Sequence, residues 1–136
     1  MTTPAIHQLI ADFEFLEDWE DRYKYVIELG RGLEALPEAD HISANKVNGC
    51  ASQVWIISQK RDDGRLHFIG DSDAIIVRGL IAVVFALYND QTPEFILGAD
   101  AGPILDQLGF GSHLSPQRAN GLRSMIARMK ADAAAV

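Results

Sequence analysis

The chain has 136 residues, of which 48% are hydrophobic and 23% charged, and its formal net charge is −7. That is ordinary composition for a globular domain able to bury a core without staples, and the acidic balance opposes nucleic acid and anionic membranes as partners. A single cysteine excludes an internal disulfide framework, and no apolar run approaches the length needed to span a bilayer.

Met1-Thr2-Thr3-Pro4 offers neither the basic nor the apolar region of a signal peptide, so one domain over residues 1–136 in a reducing cytoplasm is expected. Ile6, Leu9, Ile10, Phe13 and Leu16 recur at helical spacing. Asp18 then reads as the N-cap of a second helix, whose apolar side is Trp19, Tyr23, Val26, Ile27 and Leu29. Gly30 and Gly32 loosen its end, Leu33 and Leu36 add core contacts, and Pro37 closes the region. Glu38 to Asn45 is polar and irregular, and Lys46-Val47 reads as the start of a short strand.

The next residues, Asn48-Gly49-Cys50, place the lone thiol just after a dipeptide that favours a tight turn. Gln53 to Lys60 is β-branched and aromatic, and Arg65 to Ile69 alternates polar and apolar. Asp63-Gly64 between them predicts a hairpin, with Cys50 at one of the sheet's connections. Gly70-Asp71-Ser72-Asp73 supplies N-cap candidates for a helix over Ala74 to Tyr88, which is apolar nearly all round and therefore buried on most sides. Thr92-Pro93-Glu94 starts a short helix that ends near Leu97-Gly98, and Gly102 to Leu108 is a brief helical piece. Ser115-Pro116 starts the last helix, with Leu122, Met125, Ile126 and Met129 inward and a fraying tail from Ala131 to Val136.

On residue chemistry alone, Cys50 is either an inert small hydrophobe or a nucleophile held on a bend beside a buried strand. The four histidines, His7, His41, His67 and His113, read as surface or capping residues, and no pair has metal-ligand spacing. Asp73 is accounted for by a helix cap. Arg118 sits unfavourably near a helix N-terminus, either paired with a surface acid or reserved for the site.

Taken together, Tyr25 to Gly30, Val47 to Ile56, Gly70 to Ala74, Val77 to Tyr88 with Thr92-Pro93, and His113 to Pro116 with Arg118, Gly121 and Leu122 carry a specific resemblance. In their order and spacing the chain resembles the SufE family, the sulfur acceptors that work with cysteine desulfurases in iron–sulfur cluster assembly. The resemblance implies an α+β fold, IscU/SufE-like, with a small antiparallel sheet packed against helices. It makes Cys50 the catalytic residue that carries a persulfide, with Asn48, Gly49, Gln53, Asp73 and Arg118 as supporting or partner-binding residues and no metal site. The chain itself would need no cofactor, since pyridoxal phosphate (PLP) belongs to the desulfurase. The implied partners are a SufS-like or CsdA-like desulfurase and a downstream cluster-assembly scaffold or other acceptor. Two departures lie near the site: Ala51 stands where the family commonly has Gln, and His41 falls near a position often held by Arg.

The implied chemistry agrees with the cysteine count. A second nearby thiol would attack a loaded persulfide and expel sulfide, and a scaffold holding a cluster would need several thiolates. An exposed persulfide would also lose sulfur to small thiols, so a resting Cys50 shielded until a partner docks is expected. The alternatives are a non-catalytic binding module that activates a desulfurase, and a thiol hydrolase should a histidine fold beside Cys50.

Overall fold

A computed structural model describes residues 3–136; of the expected domain, Met1 and Thr2 lie outside the described residues. Helix α1, Pro4–Phe15, starts where the Thr3 hydroxyl accepts a hydrogen bond from the Ile6 N–H at 3.2 Å, with Pro4 at the first helical position. Its buried face is Ile6, Leu9 and Phe13. Helix α2, Trp19–Arg31, is capped as its sequence demands, Asp18 Oδ1 accepting from the Glu20 N–H at 3.1 Å. Only Val26 and Gly30 are fully buried on it, and the expected apolar residue Tyr23 is exposed.

Strands β1, Val54–Lys60, and β2, Leu66–Ser72, form an antiparallel hairpin in which Val54 faces Ser72 and Ile56 faces Gly70. The second strand is longer than expected. Gly70 to Ser72 look like helix-capping punctuation, but the partner strand gives their backbone groups a ladder to complete. Lys46 contributes a single bridge to Trp55 rather than a strand, and the Val47 N–H donates to the Val54 carbonyl at 2.8 Å. Gln91 closes the other edge through a bridge to Leu66.

Helix α3, Ile75–Tyr88, is the centre of the molecule, with Leu80, Ile81, Val83, Val84 and Tyr88 at 0–1% exposure. It packs on α2, on β2 and on the last helix, as an all-round apolar sequence requires. Its crossing with α2 is so close that a Cβ on Gly79 would stand 2.2 Å from the Val26 carbonyl oxygen, which only glycine permits. Three short helices follow: α4, Pro93–Gly98, α5, Gly102–Gln107, and α6, Phe110–His113.

The last helix, α7, Pro116–Ala134, begins with Ser115 Oγ accepting from the Arg118 N–H at 3.3 Å. It does not fray from Ala131 onward: the helix continues to Ala134 and Ala133 is buried in the core. Arg128 ties α7 to the sheet by donating to the Ile56 carbonyl at 3.2 Å. The architecture is therefore α+β: among the described residues, a two-stranded antiparallel sheet with seven α-helices. Among the described residues, no helix is long and apolar enough to cross a membrane.

Candidate functional site

Between Val47 and Val54 the chain leaves the sheet and lies against α7. Gly49 takes φ +93°, a backbone conformation that side chains strain, and a Cβ there would also meet Ser124 Oγ at 2.5 Å. The turn is thus pressed onto the helix at a residue that must be glycine. Cys50 follows, half-buried, with its Sγ 3.7 Å from the Gly121 carbonyl oxygen. A thiol is a weak donor, and this acceptor favours its protonated form. Burial pushes the Cys50 thiol above its ordinary pKa.

The thiol opens into a cavity of about 360 Å³ walled by the loop, the start of α3 and the inner side of α7. Ile76, Val77, Leu80 and Met125 make its floor apolar, while Ser115, Gln117 and Arg118 supply the polar side. A larger cavity of about 570 Å³ lies between α7 and the short helices α4 to α6. No residue of the cysteine loop lines it, so the smaller cavity is the functional candidate despite its size.

The expected supporting residues converge, though not always in the expected roles. Asp73 does not cap α3: that helix starts at Ile75, the N-cap position is Ala74, and no side chain caps the first turn. Its Oδ1 instead accepts from the Gln53 N–H at 3.1 Å, pinning the end of the cysteine loop to the end of β2. Asn48 is exposed on the turn. Arg118 lines the Cys50 cavity, but it is not a solvated arginine paired with an acid; its guanidinium lies 5.8 Å over the ring of Tyr23. That contact accounts for the exposed tyrosine on α2.

His7 and His113 are exposed, as expected, whereas His67 and His41 are less superficial. His67 is buried, with Nδ1 2.7 Å from Asp90 Oδ1 and Nε2 2.8 Å from Glu34 Oε1. His113 stacks on Trp19 at 4.2 Å. His41 sets Nε2 2.8 Å from Asp71 Oδ2 and its ring edge-on to Trp55, strapping the segment before the cysteine loop onto the sheet. Arg78 Nε lies 3.2 Å from the other Asp71 oxygen, off line for a hydrogen bond. The hydrogen bond that the His41 ring donates to Asp71 raises the His41 pKa above its ordinary value. No histidine lines the Cys50 cavity, and among the described residues no group of His, Cys, Asp and Glu is placed to hold a metal ion.

Three participants escaped the sequence reading as site residues: Gly121, Ser124 and Tyr23. Gly121 had one available signal, since glycine inside a helical pattern often marks a close approach. Ser124 and Tyr23 had none, because both matter only through what they face.

A family model described as SufE, Fe-S metabolism associated domain, matches residues 7–133 of the chain. An uncharacterized SufE-like protein of Rhizobium meliloti is 51% identical over 132 residues, covering 95% of this chain and 94% of that protein. A second SufE-like protein, from Rhizobium etli, is 48% identical over 132 residues, covering 95% of this chain and 89% of its own. The solution structure of a hypothetical protein from Thermus thermophilus has the same fold, with a TM-score of 0.79 at 18% identity over 98% of this chain and 96% of that one.

Proposed function

This chain belongs to the SufE family, whose members are associated with iron–sulfur metabolism, and from that premise we propose that Cys50 accepts sulfane sulfur from a cysteine desulfurase and passes it on for cluster assembly. The observation that carries the proposal is the placement of the only cysteine, on a loop seated against α7, over a cavity with an apolar floor and one arginine at its edge. Nothing in that cavity suits stand-alone catalysis. No histidine reaches the thiol to act as its base, which weighs against a thiol hydrolase.

The transfer itself is a thiol exchange. Cys50 loses its proton to solvent, and its thiolate attacks the outer sulfur of a persulfide on the desulfurase. A new S–S bond forms on Cys50 as the donor's S–S bond breaks, and the donor cysteine leaves as a thiolate. Persulfide and thiol stand on both sides, so little net driving force is needed. The harder requirement is control. A thiol held protonated against a carbonyl and half-buried in apolar surroundings reacts slowly with stray partners.

Docking of the desulfurase therefore has to lift the loop from α7, break the contact to Gly121 and expose the thiolate to the donor sulfur. The points of attachment define what must yield: the Gly49 turn against Ser124, the thiol against Gly121, and Gln53 held by Asp73. Arg118, at the cavity, and Tyr23, beneath its guanidinium, offer a cationic and aromatic pair for the partner surface. PLP is the desulfurase's cofactor and supplies the chemistry that releases sulfur from cysteine; this chain's residues only receive and shield it. The partner is of the SufS or CsdA kind, and the cytoplasm is the natural compartment for a lone, functional thiol.

The test is intact mass after incubation with desulfurase, PLP and cysteine. Cys50 should gain one sulfur atom that a thiol reductant removes, and Cys50→Ser should gain none while remaining folded. Loading of the Cys50→Ser protein would overturn the assignment. Stimulation of the desulfurase by Cys50→Ser as strong as by the wild type would favour a pure binding module.

A further inference from the structure

Two of the chain's four asparagines precede glycine, and both pairs adjoin the nucleophile: Asn48-Gly49 leads into Cys50, and Asn120-Gly121 carries the carbonyl that faces its sulfur. The same dipeptide occupies two opposite environments. Asn120 lies within α7, where helical backbone angles hold the Gly121 nitrogen away from the Asn120 side chain, and its Oδ1 accepts from the Arg123 guanidinium at 2.8 Å. Gly121 is buried. Asn48 and Gly49 are exposed on a turn, and among the described residues neither the Gly49 N–H nor the Asn48 carboxamide has a hydrogen-bond partner.

We propose that Asn48-Gly49 is a self-modification site, at which the loop converts Asn48 to aspartate and isoaspartate and so introduces a carboxylate two residues before Cys50. The Gly49 backbone nitrogen, giving its proton to a base, attacks the Asn48 side-chain carbonyl carbon. A C–N bond forms to close a five-membered imide, the bond to the side-chain nitrogen breaks, and ammonia leaves with the proton returned. Water then opens the imide at either carbonyl, leaving Asp or, with one methylene added to the main chain, isoAsp. No oxidant or metal takes part. Glycine at the second position removes the side chain that would crowd the attack, and the absence of a ladder or helix bond on its N–H leaves the nitrogen available.

The consequence falls on the neighbouring thiol. A like charge nearby disfavours the thiolate, adding to what burial already does. An extra main-chain atom would also lengthen the turn that now presses Gly49 onto Ser124. The modification stands independently of the proposed sulfur transfer; only its effect on sulfur acceptance rests on that reading.

Peptide mapping by mass spectrometry, on folded protein aged at mildly alkaline pH and on the same protein in denaturant, tests the site without any desulfurase. In the folded protein the Asn48 peptide should acquire the acid mass and split into Asp and isoAsp forms at least about tenfold faster than the Asn120 peptide, which reacts only when α7 opens locally. In denaturant the two peptides should convert at similar rates. Equal rates in the folded protein, or an Asn48 that converts only when unfolded, would overturn the proposal. Asn48→Asp then reads the consequence: alkylation of Cys50 by iodoacetamide should be slower than wild type by about three- to tenfold at one pH. An unchanged rate would remove the link between the modification and the thiol.

Discussion

The sulfur of Cys50 and the carbonyl oxygen of Gly121 stand 3.7 Å apart across 71 positions of sequence, so the thiol's partner belongs to α7 rather than to its own loop. That relationship sets the state from which the proposed transfer would begin. Burial opposes the ionisation of the thiol, and the neutral acceptor beside it favours the protonated form.

The first expectation concerns reactivity and pH. Iodoacetamide should alkylate Cys50 more slowly in the folded protein than in denaturant, and the rate should rise with pH along a curve displaced to higher pH than that of the unfolded chain. The linked effect on stability has a definite sign. Because folding favours the neutral thiol, the unfolded chain releases its proton first, and stability falls as pH rises from the ordinary thiol pKa toward the raised one. Cys50→Ala should lack that component in urea melts across the alkaline range. A folded protein that alkylates at the unfolded rate would mean that speed of transfer, rather than shielding, protects the sulfur.

Asp73 should act as the loop's tether. Asp73→Ala removes the acceptor for the Gln53 N–H, which should cost up to about 1 kcal/mol and speed Cys50 alkylation in the free protein. Asp73→Asn keeps an acceptor oxygen and should alkylate like the wild type. If both variants react alike, Asp73 matters through its charge instead.

Val84 is buried with no exposed surface at the centre of α3. Val84→Asp places a carboxylate where no partner reaches it, a loss of about 4 kcal/mol or more. Circular dichroism and a urea melt should find the variant unfolded or aggregated. A cooperative transition at the wild-type midpoint would contradict the packing.

The strap formed by His41 should respond to pH. Hydrogen bonding to Asp71 raises the His41 pKa, with the Pro37 and Glu38 carbonyls on the other ring nitrogen and Arg78 beside the shared carboxylate. Its contribution is therefore complete below the ordinary histidine pKa and is lost as pH rises through the raised value. Urea midpoints of the wild type should decline across that window, whereas those of His41→Gln should stay level. Equal slopes would assign the pH dependence to other groups.

The local features were legible in the sequence because short-range chemistry decides them. Asp18, Thr92-Pro93 and Ser115-Pro116 start helices where their side chains cap the first turn, and Asp63-Gly64 turns the hairpin. The uninterrupted apolar run around Val84 had to be buried wherever it packed. A lone cysteine after Asn-Gly marked the loop, and the order of the family motifs marked the family. What each residue faces was decided only by tertiary packing. Gly70 to Ser72 became strand because β1 offered them a ladder, and Asp73, released from capping, took the Gln53 N–H. Tyr23 turned outward to lie under Arg118, and Ala133 stayed helical because the core covers it. The carbonyl of Gly121 reached Cys50 for the same reason. Capping, turn geometry and apolar periodicity act within a few residues, whereas a pairing across 71 positions exists only once the burial of the whole core has set where α7 lies.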